Sequence, residues 1–276
     1  MTAKPESDHF QSGADKYAAY LETHEGRLRS ALAFANLQDF LVLPQSRRSL
    51  RGLDLGCGTG ATAVRLARLG IHMTLLDSSS AMLDIAKRAA REAGVDGRIA
   101  INQGDAAQAA NLFPPGSFDL VLCHNILEYV DDPNSVLSAA AKVLQSDSTG
   151  ILSILVRNRA GDVFKAGINA GDLGAAERNL TAEWGHESLF GGRVRLFTAD
   201  SLEIILKGAS LAVTAWRGVR VISDYLPLQF SRHEEYERIF ELERKLGSRP
   251  EFAAVARYTQ VIARHSCASS GKETAQ

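Results

Sequence analysis

The sequence predicts an α/β fold: a doubly wound, mainly parallel sheet with a helical N-terminal extension and an inserted lid on the substrate side. Three features predict it. Short apolar runs alternate with helical stretches through residues 50–156, and a glycine-rich turn joins the first run to the helix after it. Leu120, Val121 and Leu122 form an unbroken apolar run suited to a strand covered on both faces. A length of 276 residues with 45% hydrophobic and 23% charged side chains permits one elaborated domain with a sizeable core, and excludes disordered, collagen-like and disulfide-stapled classes.

In chain order, Leu28, Leu32, Ala35 and Phe40 recur at helical spacing within 17–43, so a long helical region precedes Pro44, placed to cover a cleft. Residues 50–55 read as a buried strand running into Gly56, Gly58 and Gly60, and 61–68 as the following helix. Residues 73–76 form a second strand ending at Asp77, and the alanine-rich 81–93 a helix closed at Gly94. Strands over 99–103 and 118–123, a helix over 134–144 and a strand over 150–156 complete the βα rhythm. Scattered glycines between Arg157 and Arg195 interrupt it and mark the insertion. Thr198 then caps a helix over 200–208, followed by a strand over 211–221, a helix over 234–246 and a strand over 258–263. The expected divisions are 1–49 for the extension, 50–156 for the cofactor-binding core, 157–197 for the substrate-side lid and 198–265 for the rest of the same α/β domain. Residues 266–276 read as a flexible polar tail in which Cys267 does no chemistry.

Charge and cysteine usage narrow the function classes. The 31 basic and 32 acidic side chains leave a formal net charge of -1, so no bulk positive field advertises a nucleic-acid binder. A local patch is still available, because Arg27, Arg29, Arg47, Arg48 and Arg51 crowd the first third, and Arg193, Arg195, Arg217 and Arg220 can join them on folding. Cys57, Cys123 and Cys267 are scattered without a CxxC pair, and His24, His124 and His186 are widely spaced, so neither a disulfide framework nor a metal site is expected. A reducing, cytoplasmic setting fits. The first residues lack a signal-peptide core and no apolar run approaches the ~20 residues that cross a bilayer, so no membrane association is expected.

The candidate site begins at Asp54, Gly56, Gly58 and Gly60. Glycines permit a tight turn and close backbone approach, so N–H groups and a helix terminus can face a polar ligand. Asp77 at the end of the next strand can accept both hydroxyl protons of a ribose. Together they indicate a nucleoside-bearing cofactor, either NAD or S-adenosylmethionine. An acidic residue opening the turn, Asp54, suits a cationic amino group better than an anionic pyrophosphate, which favours S-adenosylmethionine. The alternative is a purely structural turn.

At these residues the chain resembles the class I S-adenosylmethionine-dependent methyltransferases. That resemblance implies that Asp54, Gly56, Gly58 and Gly60 hold the methionine moiety, Asp77 the ribose and Asp105 the adenine, with Ala106 against the base and Ser78 and Met82 beside the nucleoside. Core packing is nearly as good a reading of Met82. His124, after the fourth strand, falls where the family lines the methionine end and the methyl-transfer site. Over about the whole chain, HEGRLR at 24–29, HNILEYVDDP at 124–133, GVRVISDYL at 218–226 and ARYTQVIAR at 256–264 resemble the bacterial tRNA 5-carboxymethoxyuridine methyltransferases, which convert the wobble-uridine carboxylate to its methyl ester. That likeness implies tRNA as partner. The chain departs from the family at Tyr129, where tryptophan is usual, and in an insertion that is glycine-rich rather than strongly basic. Small-molecule N- or O-methyltransferases share the core and stand as the alternative.

A carboxylate acceptor is already ionised near neutral pH, so it needs orientation rather than a base. Arg29, Arg157, Arg217 and Arg220 are candidates to hold it bidentately. Alternation through Val219, Arg220 and Val221 turns Arg220 toward a polar cleft if these residues form a strand, with a structural ion pair as the equal alternative. Tyr17 and Tyr20, read as preceding the N-terminal helix, are placed to stack on or close over an acceptor, or else to pack in the core. His124 serves as base if the acceptor is an amine or hydroxyl, and as a binding group if it is a carboxylate.

Overall fold

The computed structural model describes residues 6–42, 49–147, 149–187, 189–227 and 230–266. Arg47, Arg48, Pro44, Cys267 and all of the expected tail except Ser266 lie outside the described residues. Two helices come first, α1 (Glu6–Glu22) and α2 (His24–Gln38), where the hydropathy pattern suggests one. Thr23 divides them: its backbone is extended and its hydroxyl accepts from Gly26 N–H at 3.1 Å, capping a new helix. Tyr17 and Tyr20 therefore lie inside α1 rather than ahead of a helix.

The expected alternation follows with shifts of one or two residues: β1 (Arg51–Leu55), α3 (Ala61–Arg68), β2 (His72–Asp77), α4 (Ser80–Glu92), β3 (Ile99–Gln103), a short α5 (Ala109–Leu112), β4 (Leu120–His124), α6 (Pro133–Val143) and β5 (Ile151–Arg157). The insertion holds α7 (Arg159–Phe164), a π-helical turn over Lys165–Asn169, α8 (Leu173–Asn179) and a hairpin of β6 (Trp184–Glu187) and β7 (Gly192–Arg195). After it come α9 (Ala199–Gly208), β8 (Leu211–Val219), α10 (Tyr236–Gly247), α11 (Pro250–Ala253) and β9 (Tyr258–His265).

The main sheet has the order β3-β2-β1-β4-β5-β9-β8. Its first five strands are parallel, while β9 runs antiparallel to both β5 and β8. The chain moves outward from β1 to β3 and then restarts at β4, so the loops leaving β1 and β4 diverge and open a crevice at their carboxyl ends. One face of the sheet is sealed by Val136, Leu137 and Ala140 of α6 with Leu202 and Leu206 of α9. The other is sealed by Ala63, Leu66 and Ala67 of α3, Ala86 and Ala90 of α4, and Leu37 of α2. Each buried leucine contributes about 1.5–3 kcal/mol. Leu28 and Leu32 of α2 also pack with Leu155, Val219 and Ile239, which fixes α2 against β5, β8 and α10 and so fixes Arg29 over the sheet.

Candidate active site

A cavity of about 880 Å³ occupies the crevice, a volume typical of ligand clefts. Gly56, Gly58, Asp77, Ser78, Met82, Asp105 and Ala106 line one end. Gly56 and Gly58 have φ of 64° and 52°, the left-handed region that favours glycine. Asp77 Oδ2 accepts from Gly58 N–H at 2.8 Å and Oδ1 from Ser79 N–H at 2.9 Å, so the turn and the carboxylate hold each other and each oxygen keeps a lone pair for a ligand hydroxyl. Burial raises the Asp77 pKa, opposed by these backbone N–H groups. Asp105 sits exposed at the lip, accepting from Ala107 N–H at 2.9 Å, and Ala106 is buried beside it. Gly60 is not brought to the cavity: it caps α3 and packs on α4, where a Cβ would meet that of Ala86 at 2.9 Å.

A chamber of about 50 Å³ adjoins this end, lined by Asp54, Gly56, Thr59, Arg29 and His124 among others. Asp54 is buried, and no donor among the described residues reaches its carboxylate. Burial, then Asp77, push its pKa up to about 8. His124 Nε2 lies 2.8 Å from Ser153 Oγ. Gln260 Nε2 donates to that same oxygen at 3.1 Å and to Ala33 O at 3.0 Å, which orients its amide, and Asn36 donates to Gln260 Oε1 at 3.1 Å. Ser153 is buried and its proton has no other acceptor among the described residues, so it is taken to donate to His124 Nε2 and the imidazole proton is assigned to Nδ1. Burial and then Arg29 lower the His124 pKa to about 4, so the ring is neutral at pH 7 and a weak base.

The opposite end of the cavity is cationic. Arg29 lies over the rings of Tyr17, Tyr20 and Tyr258 at 5.9, 5.0 and 5.6 Å and donates to Tyr17 Oη at 3.0 Å, but it pairs with no carboxylate among the described residues. Arg220 does not continue β8. It follows the strand's end with φ of 63°, so the alternation expected for it does not apply. The buried Glu243 of α10 turns the chain there, accepting from the N–H groups of Val221, Ile222 and Ser223 at 2.6, 3.0 and 2.7 Å. Arg220 pairs with Asp224, the structural ion pair foreseen as its alternative, and still lines the cavity. Arg257 pairs with Asp162, whose other oxygen lies 3.3 Å from Arg157, and Arg257 also approaches Asp224 at 3.9 Å. Three guanidiniums thus share two carboxylates. Burial opposes ionisation of Tyr258, but Arg29, Arg220, Arg257 and Arg157 outweigh it and lower the phenol to about 8. Arg217 is not brought here; its guanidinium lies 5.1 Å from the Phe40 ring.

Sequence reasoning missed Glu128, Asp162, Asp224, Glu243 and Arg257. Glu128 Oε1 accepts from Asn125 Nδ2 and Arg157 N–H, both at 2.9 Å, tying the segment after β4 to β5. Glu128, Asp224 and Arg257 stand inside the HNILEYVDDP, GVRVISDYL and ARYTQVIAR segments, the one available signal for them; Asp162 and Glu243 carry none. Above the cavity, Phe10 of α1 meets Tyr129 at 5.0 Å and Phe190 at 4.9 Å, while Tyr17 stacks on Phe190 at 5.9 Å. Glu187 accepts from the N–H groups of Leu189 and Phe190 at 2.6 and 2.7 Å and holds that loop in place. Among the described residues no cluster of three His, Cys, Asp or Glu side chains is arranged to hold a metal, and no helix is long and apolar enough to cross a membrane.

The fold and this cavity define a class I S-adenosylmethionine-dependent methyltransferase. A family profile described as a methyltransferase domain matches residues 53–152. The tRNA 5-carboxymethoxyuridine methyltransferase of Escherichia coli (strain K12) is 31% identical over 265 residues, which is 93% of this chain and 95% of that protein. The chain belongs to the family of these tRNA 5-carboxymethoxyuridine methyltransferases. The ubiquinone biosynthesis O-methyltransferase of Xanthomonas euvesicatoria pv. vesicatoria (strain 85-10) is 37% identical, but only over 112 residues, 40% of this chain and 45% of that one. Among solved structures, a possible histamine N-methyltransferase from Thermotoga maritima superposes with a TM-score of 0.61 at 16% identity, covering 94% of this chain and 99% of its own, a likeness of fold.

Proposed function

We propose that the protein methylates the carboxylate of wobble 5-carboxymethoxyuridine in tRNA to its methyl ester. The observation that carries this reading is the cationic end of the cavity, where Arg29, Arg157, Arg220, Arg257 and Lys165 outnumber Glu128, Asp162 and Asp224. The whole-length relation to the tRNA enzymes supports it, whereas the likeness to the ubiquinone-biosynthesis enzyme spans only 40% of this chain.

The residues present fit the cofactor. Asp54 has a buried carboxylate lacking a donor, suited to the amino group of a methionine moiety. Arg29 borders both the chamber holding Asp54 and the main cavity, and its unpaired charge suits the moiety's carboxylate. Asp77 would take the ribose hydroxyls, and Asp105 with Ala106 the base. When bound, the cofactor supplies an electrophilic methyl group on a sulfonium, which an incoming lone pair displaces in line. The arginine end orients the acceptor carboxylate so that one oxygen faces that methyl. The new oxygen–carbon bond would replace the carbon–sulfur bond of the bound cofactor, whose electron pair would stay on sulfur. No proton moves, which agrees with a neutral His124 acting through Nδ1–H as a donor rather than as a base.

The test is methyl transfer from labelled S-adenosylmethionine to tRNA bearing 5-carboxymethoxyuridine and to unmodified tRNA, with methyl ester quantified after nuclease digestion. Ester that depends on the modified base is the expected result. Cofactor binding without transfer to either tRNA would move the acceptor to small carboxylates, amines or phenols.

A further inference from the structure

We infer that the outward face of the β6–β7 hairpin docks the sugar-phosphate backbone of a single-stranded RNA loop at the mouth of the cavity. The inference rests on the tRNA reading above and extends it to a surface. Trp184 pairs with Arg195 across the hairpin and His186 with Arg193, so alternation puts these four side chains on one face. Gly185 and the buried Val194 take the other, inward face.

The guanidiniums of Arg193 and Arg195 lie 4.2 and 4.5 Å from the Trp184 ring. Neither pairs with a carboxylate among the described residues, so two cations are held beside one ring without an internal anion. Arg195 is also anchored, donating to Asp131 O at 3.2 Å, while Arg193 is exposed. A polyanion supplies the missing charge. The same hairpin contributes His186, Glu187 and Val194 to the cavity wall, so a strand lying on the outward face has a nucleotide within reach of the arginine end. Asp131 and Asp132 on the neighbouring rim confine the attraction to the hairpin, in keeping with a formal net charge of -1.

The test uses the full chain as wild type, Arg193→Glu, Arg193→Gln and the exposed control Lys207→Glu. Binding of a fluorescent anticodon stem-loop and methyl transfer to modified tRNA are followed across a salt series. In Arg193→Glu, Kd and KM for RNA should rise about three- to ten-fold, and the slope of log Kd against log salt should flatten by about 0.7 per lost phosphate contact. Arg193→Gln should lie between it and wild type, Lys207→Glu should track wild type, and kcat should hold throughout. Unchanged Kd and salt slope in Arg193→Glu overturn the docking surface, as does a wild type that does not bind the stem-loop. Arg193-dependent binding without methyl transfer overturns the tRNA carboxyl-methylation reading and leaves the docking surface standing.

Discussion

Asp54 was legible because it opens a glycine turn at the end of an apolar run, and its burial gives it two opposed roles. Its pKa of about 8 lies above the ordinary carboxylate range, because burial and then Asp77 disfavour the charge. The folded chain therefore holds this proton more tightly than the unfolded chain does. The stability so contributed is complete below the ordinary carboxylate range and is lost as pH rises through about 8. Asp54→Asn should melt close to wild type only at or below about pH 4 and increasingly above it as pH rises to 9, while binding S-adenosylmethionine about 10- to 100-fold more weakly for want of a charged acceptor, as calorimetry can show. Asp224 stood inside the GVRVISDYL segment with nothing to state its partner, and Asp162 was illegible for the opposite reason. An isolated acid in a polar stretch carries no periodic signal, and its arginine partners become visible only when the insertion folds back on β9.

At the scale of elements, strands and helices were read from their own period, but their directions and breaks were not. Nothing local states that β9 runs antiparallel between β5 and β8, or that Thr23 ends one helix and starts another. Arg220 shows what this costs a residue argument: its alternation was taken from a strand that stops at Val219. Its position is set by α10, through Glu243 and three consecutive backbone N–H groups. Glu243→Ala leaves these donors without their acceptor and should lower stability by about 3 kcal/mol. Because Glu243 holds the acceptor end alone, the folded fraction should keep its affinity for S-adenosylmethionine and lose affinity for modified tRNA; thermal melts paired with the two titrations separate the effects.

Over the whole molecule, α1 ties the two ends of the crevice together. Gln11 accepts from Ser79 Oγ at 3.0 Å beside Asp77, while Phe10 and Tyr17 meet Phe190 of the insertion. If the cofactor binds at Asp54 and Asp77 as proposed, it would lie under this bridge, so hydrogen exchange in α1 and in the loop holding Phe190 should slow when S-adenosylmethionine is added, with β5 and β9 little affected. Equal exchange with and without cofactor would place the entrance elsewhere. The row of hydrogen bonds from Asn36 through Gln260 and Ser153 to His124 crosses three neighbouring strands and has a polarity, like a sentence that reads in one direction. An amide at position 260 makes serine speak toward the imidazole; a carboxylate there would take the serine proton and make the imidazole answer through Nε2–H instead. Gln260→Glu would then exchange donor for acceptor at the edge of the cavity, visible in the ring nitrogen resonances, with no side chain in the cavity altered.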